Sequence, residues 1–352
     1  MILVAYGTRP EIIKLFPVIR EFQSQDIPFR TLFTGQQIDL FNDVKDLMTE
    51  PDFTFSEKFT GREKHGTLAQ SFVKICAAAD SLFHRHRFTC VVVQGDTTTA
   101  SAIAQMAFFN KIPVAHVEAG LRTFDLANPY PEEANRAIIG QIAAINFAPT
   151  PRAQTNLQAL GARNVHLTGN TIVDAVRILR EERGVPNPTS TRKVLATLHR
   201  RENHETMDEL FDQLNNVALS HPHFDFVLPI HPNPNVIKHR SRITSTNFRV
   251  IAPVGYLDML RMVAESAYVI TDSGGLQEEC ACFGKKVLIV RETTERPEVV
   301  EAGLGKLVGR NIIGHIDWAI SRPSEYPTSI FGDGYSAQRI VDILANSGIA
   351  DR

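Results

Sequence analysis

CVVVQGDTTTASAIAQMAFF, residues 90–109, is the stretch that decides how the chain is read. Residues 90–94 form a short apolar run rich in valine, and Gly95 ends it. Such a run, closed by a turn signal, reads as a strand buried on both faces. Residues 99–109 then carry apolar side chains at helical spacing. A strand that feeds a helix through a tight turn is the repeating unit of a parallel sheet.

The pattern extends in both directions. Candidate strands lie at 2–6, 90–94, 114–117, 145–148 and 165–168, and again at 193–198, 224–229, 248–251, 268–271 and 286–290. Amphipathic stretches at 67–83, 99–109, 133–144 and 207–220 alternate with them. The expected fold class is therefore α/β, with two doubly wound domains. Gly169-Asn170 and the polar, proline-containing segment 183–192 mark the boundary, giving domains over 1–168 and 169–334. Ligands of such sheets sit beyond the carboxyl ends of the strands, so two facing domains imply an inter-domain cleft.

Composition narrows the function. The chain has 352 residues, 37 Lys plus Arg against 39 Asp plus Glu, and a net charge of −2. That balance argues against nucleic acid as a partner. With 43% hydrophobic and 22% charged residues the chain is globular rather than disordered. No uncharged apolar run reaches the length of a membrane span. MILVAYGTRPE at the start reads as a first strand, not a signal peptide. Four cysteines without a CxxC pattern suggest buried thiols in a reducing cytoplasm.

The residues that could carry chemistry follow the strands. Gly7-Thr8-Arg9-Pro10-Glu11 comes after the first; Arg9 and Lys14, a turn further on, could grip an anion, or the segment is an ordinary strand-to-helix turn. Asp96 follows the strand at 90–94 and could be an acid/base carboxylate or a helix cap. Glu118 follows the strand at 114–117, where an isolated charge is costly and so suggests function. Glu132 and Glu133 open a helix after the long loop 123–131, and the helix dipole accounts for one of them. His199 follows the strand at 193–198 beside Arg200 and Arg201, a setting for proton transfer or phosphate contact. At 271–279, TDSGGLQEE reads as a strand end, a Ser-Gly-Gly turn and a helix start. Ser273, Gly274 and Gly275 would cradle a diphosphate, with Glu279 placed for ribose hydroxyls. The glycines do not form GxGxxG, so a nicotinamide cofactor is not indicated. The His-x-His pairs at 84–86 and 221–223 lack further ligands at metal spacing, so no metal is expected.

Together these motifs resemble the non-hydrolysing UDP-N-acetylglucosamine 2-epimerases. The matching segments are GTRPE (7–11) with Lys14, GDTTT (95–99), HVEAGLRT (116–123), PEEANR (131–136), TGNT (168–171), HRREN (199–203), HPNPNV (231–236), TDSGGLQEE (271–279), GKKVLIVRETTERPE (284–298) and GDG (332–334). They run in order over nearly the whole chain. The resemblance implies two Rossmann-like domains of glycosyltransferase-B type, with a C-terminal helix at about 335–352 crossing back to the first domain. It implies a cytoplasmic homodimer that needs no cofactor and acts on a UDP-sugar. The implied reaction is C2 epimerisation of UDP-GlcNAc to UDP-ManNAc, by anti elimination of UDP and its re-addition. It assigns Asp96, Glu118 and Glu132 as acid/base carboxylates and His199 as an aid to departure of UDP. Arg9 and Lys14 fall on the uracil and phosphate side; Ser273, Gly274, Gly275 and Glu279 fall on the diphosphate and ribose. The alternatives are a hydrolysing 2-epimerase releasing ManNAc and UDP, and a 2-epimerase of a modified UDP-HexNAc.

One segment departs from the family. Many members carry Gln-His-Arg after the second strand, part of a second, activating UDP-GlcNAc site. Here Gln36 is kept, but Gln37 and Ile38 replace the His and Arg, Asp39 adds negative charge, and Lys64-His65-Gly66 supplies no matching Arg. Conversion without an activating substrate is the expectation.

Overall fold

The computed structural model describes residues 1–36, 44, 47–55, 67–189, 191–321 and 329–349. The chain divides into two units, Met1–Ala175 with Gly332–Arg352, and Val176–Phe331.

The first unit is built from β1 (Ile2–Tyr6), α1 (Arg9–Ser24), β2 (Phe29–Phe33), β3 (Phe53–Thr54), α2 (Leu68–Arg85), β4 (Cys90–Gln94), α3 (Thr98–Phe109), β5 (Val114–Val117), α4 (Glu132–Ile142), β6 (Ile145–Ala148), α5 (Pro151–Ala159), β7 (Val165–Leu167) and the start of α6 (Thr171–Arg183). Its strands form one parallel sheet in the order β3-β2-β1-β4-β5-β6-β7. All five residues of β1 and of β4 are buried, as a parallel sheet covered on both faces requires. One core joins Leu3, Val91 and Val93 of the sheet to Ile75, Ala79 and Leu82 of α2 and to Ala102 and Ile103 of α3.

The second unit repeats the plan with β8 (Lys193–Thr197), α7 (Met207–Ser220), β9 (Asp225–Pro229), α8 (Pro234–Ile237), β10 (Phe248–Ile251), α9 (Tyr256–Glu265), β11 (Tyr268–Thr271), α10 (Gly274–Cys282), β12 (Lys286–Ile289), α11 (Pro297–Glu301), β13 (Gly305–Leu307) and α12 (Ile316–Ile320). Its parallel order is β10-β9-β8-β11-β12-β13. The closing helix α13 (Ser336–Asn346) belongs to the first unit. There Asp174 Oδ1 accepts from the Ala337 amide at 2.8 Å, and Gln25, just past the end of α1, donates to Asp342 at 2.9 Å.

Each unit is thus a Rossmann-like, doubly wound α/β sheet. The strand order reverses between β1 and β4 in the first unit and between β8 and β11 in the second. At such switch points the turns at the carboxyl ends diverge and leave a ligand crevice. No helix among the described residues is long and apolar enough to cross a membrane.

Three strands escaped the sequence reading: β2, β3 and β13. In β2 Phe29 is only partly covered and Arg30 is exposed, so the apolar run is broken. β3 and β13 are two and three residues long. The Ser-Gly-Gly turn is also corrected: Ser273 is the N-cap and Gly274 is already the first residue of α10. Gln37, Ile38, Asp39, Lys64, His65 and Gly66, on which the regulatory expectation turns, lie outside the described residues.

Candidate functional site

In the first unit the candidate carboxylates gather at the carboxyl edge beside the switch point. Glu118 directly follows β5 and its backbone is left-handed, with φ of 62°. A side chain other than glycine rarely holds that conformation, which costs on the order of 1–3 kcal/mol and recurs at functional positions. Glu118 is buried, and Lys14 of α1 donates to its Oε1 at 2.5 Å. The Gln94 amide donates to Oε2, so β4 and α1 both hold this carboxylate.

Asp96 lies in the next turn. Gly95, just before it, faces Glu118: a Cβ placed there would lie 3.8 Å from Glu118 Oε2. Arg136 of α4 pairs with the Asp96 carboxylate, and Asn135 donates to its carbonyl at 2.8 Å. Asp96 is not the helix cap; Thr97 is, accepting from the Ala100 amide at 3.0 Å. The capping role is filled by Thr97, and the Asp96 side chain stays partly exposed in its pair with Arg136.

Glu132 and Glu133 separate clearly. Glu133 is fully buried; it accepts from Arg122 at 2.6 Å and from the Thr123 and Phe124 amides at 3.0 Å each. It fixes the start of the loop before α4. Glu132, the first residue of α4, is only partly covered and shares that helix with Arg136 and Asn135, which reach Asp96. Arg9 is half-buried at the start of α1. Lys14, further along α1, reaches the Glu118 carboxylate.

His116 of β5 is fully buried, with Nε2 2.8 Å from the Gly95 carbonyl. Burial pushes its imidazole down to about 4, so it stays neutral and braces the Asp96 turn.

In the second unit, Asp272 organises the switch point. It is fully buried and accepts from the His199 amide at 2.9 Å, the Arg200 amide at 2.9 Å and the Asn203 side chain at 3.0 Å. His199 Nδ1 lies 3.4 Å from Asp272 Oδ1, and the ring stacks on His231 at 5.4 Å between centroids. The sequence reading quoted Asp272 inside its motif but gave it no role. Its position directly after a strand is a signal the sequence carries; that this strand pairs with the one preceding His199 is seen only in the fold.

At the start of α10, Ser273 makes no side-chain capping bond, and nothing lies within 4 Å of where a Gly275 Cβ would stand. A Cβ on Gly274 would meet an Arg296 nitrogen at 2.7 Å, so Gly274 is needed for packing and Gly275 leaves open space. Arg296 itself is held by Glu278 and Glu295, each at 2.5 Å. Glu279 is buried in the same helix. Backbone amides at a helix start suit an anion such as a phosphate. Among the described residues no group of three His, Cys, Asp or Glu side chains is placed to hold a metal.

Residues 20–345 match the model of the UDP-N-acetylglucosamine 2-epimerase family. The chain is 36% identical to the UDP-N-acetylglucosamine 2-epimerase of Campylobacter jejuni, covering 97% of each. Among solved structures it is similar to the Neisseria meningitidis UDP-GlcNAc 2-epimerase bound to UDP-GlcNAc, with TM-score 0.85, 32% identity, and 98% and 99% of the two chains covered. It is also similar to the Methanocaldococcus jannaschii enzyme in complex with UDP-GlcNAc and UDP, with TM-score 0.82, 31% identity and the same coverage. The fold is of the glycosyltransferase-B type, as the family resemblance implies.

Proposed function

Because this chain belongs to the UDP-N-acetylglucosamine 2-epimerase family, we propose that it interconverts UDP-GlcNAc and UDP-ManNAc without hydrolysis, as a cytoplasmic homodimer. The observation that supports this most is the convergence of Asp96, Glu118 and α4, which begins at Glu132, on one sheet edge, with Lys14 and Arg136 holding the first two acids.

The C2 proton of a 2-acetamido sugar is not α to a carbonyl, so simple abstraction is very unfavourable. Coupling its removal to loss of UDP lowers the barrier. One carboxylate takes the proton from C2; the C–H electrons form the C1=C2 bond of 2-acetamidoglucal as the C1–O bond to UDP breaks. UDP then re-adds at C1 while a second acid delivers a proton to the other face of C2. Delivery on opposite faces calls for more than one acid/base group. The start of α10, with Ser273, Gly274 and Gly275, takes the diphosphate, and Glu279 the ribose. His199, steadied by Asp272, assists departure of UDP, whose negative charge Arg9 also stabilises.

The test is incubation of the purified protein with UDP-GlcNAc, followed by separation of the sugar nucleotides. A mixture of UDP-GlcNAc and UDP-ManNAc is expected. Stoichiometric free ManNAc and UDP would replace this reading with the hydrolysing one. Turnover confined to other UDP-HexNAc sugars would change the substrate and keep the chemistry.

A further inference from the structure

Glu11 is a buried acid with no part in the chemistry above. It stands at the third position of α1, after the N-cap Thr8, and is fully buried. Its Oε2 accepts from the Gly7 amide at 3.0 Å, the Thr8 amide at 2.8 Å and the Thr8 hydroxyl at 2.8 Å. Its Oε1 accepts from the Thr97 hydroxyl at 2.7 Å, across 86 residues of sequence. Thr97 in turn caps α3 through the Ala100 amide. One carboxylate therefore caps α1 directly and α3 through a hydroxyl.

Those two helices follow β1 and β4, the strands that flank the switch point. Arg9 is next to Thr8 in one turn, and Asp96 is next to Thr97 in the other. The turns are also packed without slack. A Cβ on Gly7 would run into the hydroxyls of Thr34 and Thr99, which bond to each other at 2.8 Å, while Gln36 accepts from the Thr99 amide at 3.1 Å.

A helix cap alone does not call for this arrangement. Every donor that Glu11 meets among the described residues is neutral, and burial pushes its carboxyl up to about 7. Burying a carboxylate without a cation is expensive. A glutamine offers a single acceptor oxygen, so it cannot take Oε2's three donors and the Thr97 hydroxyl together.

We propose that Glu11 is a positioning residue for the epimerisation, locking the turn that carries Arg9 to the turn that carries Asp96. This rests on the roles given to Arg9 and Asp96 under the proposed function.

The test compares wild type, Glu11→Gln, Thr97→Val, Thr97→Ser and the Glu11→Gln/Thr97→Val double variant, with kcat and KM for UDP-GlcNAc and circular dichroism of each. Glu11→Gln and Thr97→Val are each expected to lower kcat by about tenfold or more with KM changed less than threefold. Thr97→Ser, which keeps the hydroxyl, should retain at least half of the wild-type kcat. The double variant should lose no more than the worse single one, because the two residues act through one bond. Folded Glu11→Gln and Thr97→Val proteins with wild-type kcat, or losses that multiply in the double variant, would overturn the proposal. If Glu11→Gln fails to fold, Thr97→Val against Thr97→Ser decides alone. A wild type that does not turn over UDP-GlcNAc would instead defeat the proposed function.

Discussion

Lys14 Nζ donates to Glu118 Oε1 at 2.5 Å across 104 residues, joining the first helix of the chain to the end of β5. Both side chains are about 5% exposed, so the pair is shielded from solvent and from salt. The pair therefore ties the direction of the Glu118 carboxylate to α1.

Glu118→Gln should lower kcat by about 10²-fold or more, the scale of a positioned acid/base group. Lys14→Met removes one partner of a buried pair and should also destabilise the protein by about 3–5 kcal/mol. Steady-state kinetics and thermal melts check both. Near-normal turnover in Glu118→Gln would remove Glu118 from the chemistry.

Asp272→Asn should act through His199. The amide keeps one acceptor oxygen but carries no charge, so the bonds from the His199 and Arg200 amides fall from the charge-assisted scale of about 1.5–3 kcal/mol to the neutral scale of about 0.5–1.5 kcal/mol. The expected result is a fall in kcat of at least tenfold with a shifted pH–rate profile, whereas Asn203→Ala, which leaves both amide bonds in place, should lose less. An unchanged pH profile in Asp272→Asn would detach Asp272 from the function of His199.

Two buried groups should oppose each other in the pH dependence of stability. His116 is pushed down from 6.5 to about 4, so its contribution is lost as pH falls from 6.5 to 4. Glu11 is pushed up from 4.5 to about 7, so its contribution is lost as pH rises from 4.5 to 7. Each is worth roughly 3 kcal/mol over its window. Between pH 4.5 and 6.5 they nearly cancel. His116→Gln should unmask Glu11, giving a melting temperature that drops from pH 4.5 to 7 relative to wild type. A constant offset between the two proteins would contradict this.

Purified UDP-ManNAc should be converted without added UDP-GlcNAc. An activating diphosphate needs cationic or donor partners, and Gln37, Ile38 and Asp39 supply neither the His nor the Arg of the family. Initial rates with and without a trace of UDP-GlcNAc decide; a lag abolished by the trace would show an activating site.

Local signals carried most of the fold. The central strands β1, β4, β5, β8, β11 and β12 are mostly apolar and, apart from Lys193 at the start of β8, buried throughout, because each is covered on both faces. Edge strands β3 and β13 are too short to leave a pattern, and β2 is half polar. The site was legible as motifs at strand ends, because a parallel sheet puts every strand's carboxyl end on one edge. Its pairings were not. Lys14 with Glu118, Arg136 with Asp96 and Asp272 with His199 join residues far apart in the chain, and no periodicity encodes them. Glu11 falls between these cases. Thr8-Arg9-Pro10-Glu11 is a capping-box spacing visible in the sequence, while its reach to Thr97 depends on β1 and β4 being neighbours.

The central claim, elimination and re-addition of UDP with proton exchange at C2, is tested most directly by incubating UDP-GlcNAc with the protein in deuterated water and following C2 by NMR. The account predicts deuterium at C2 of UDP-ManNAc and, at equilibrium, of UDP-GlcNAc, with both sugars still linked to UDP. Epimerisation that retains the original C2 proton, or product that accumulates as free ManNAc, would contradict it.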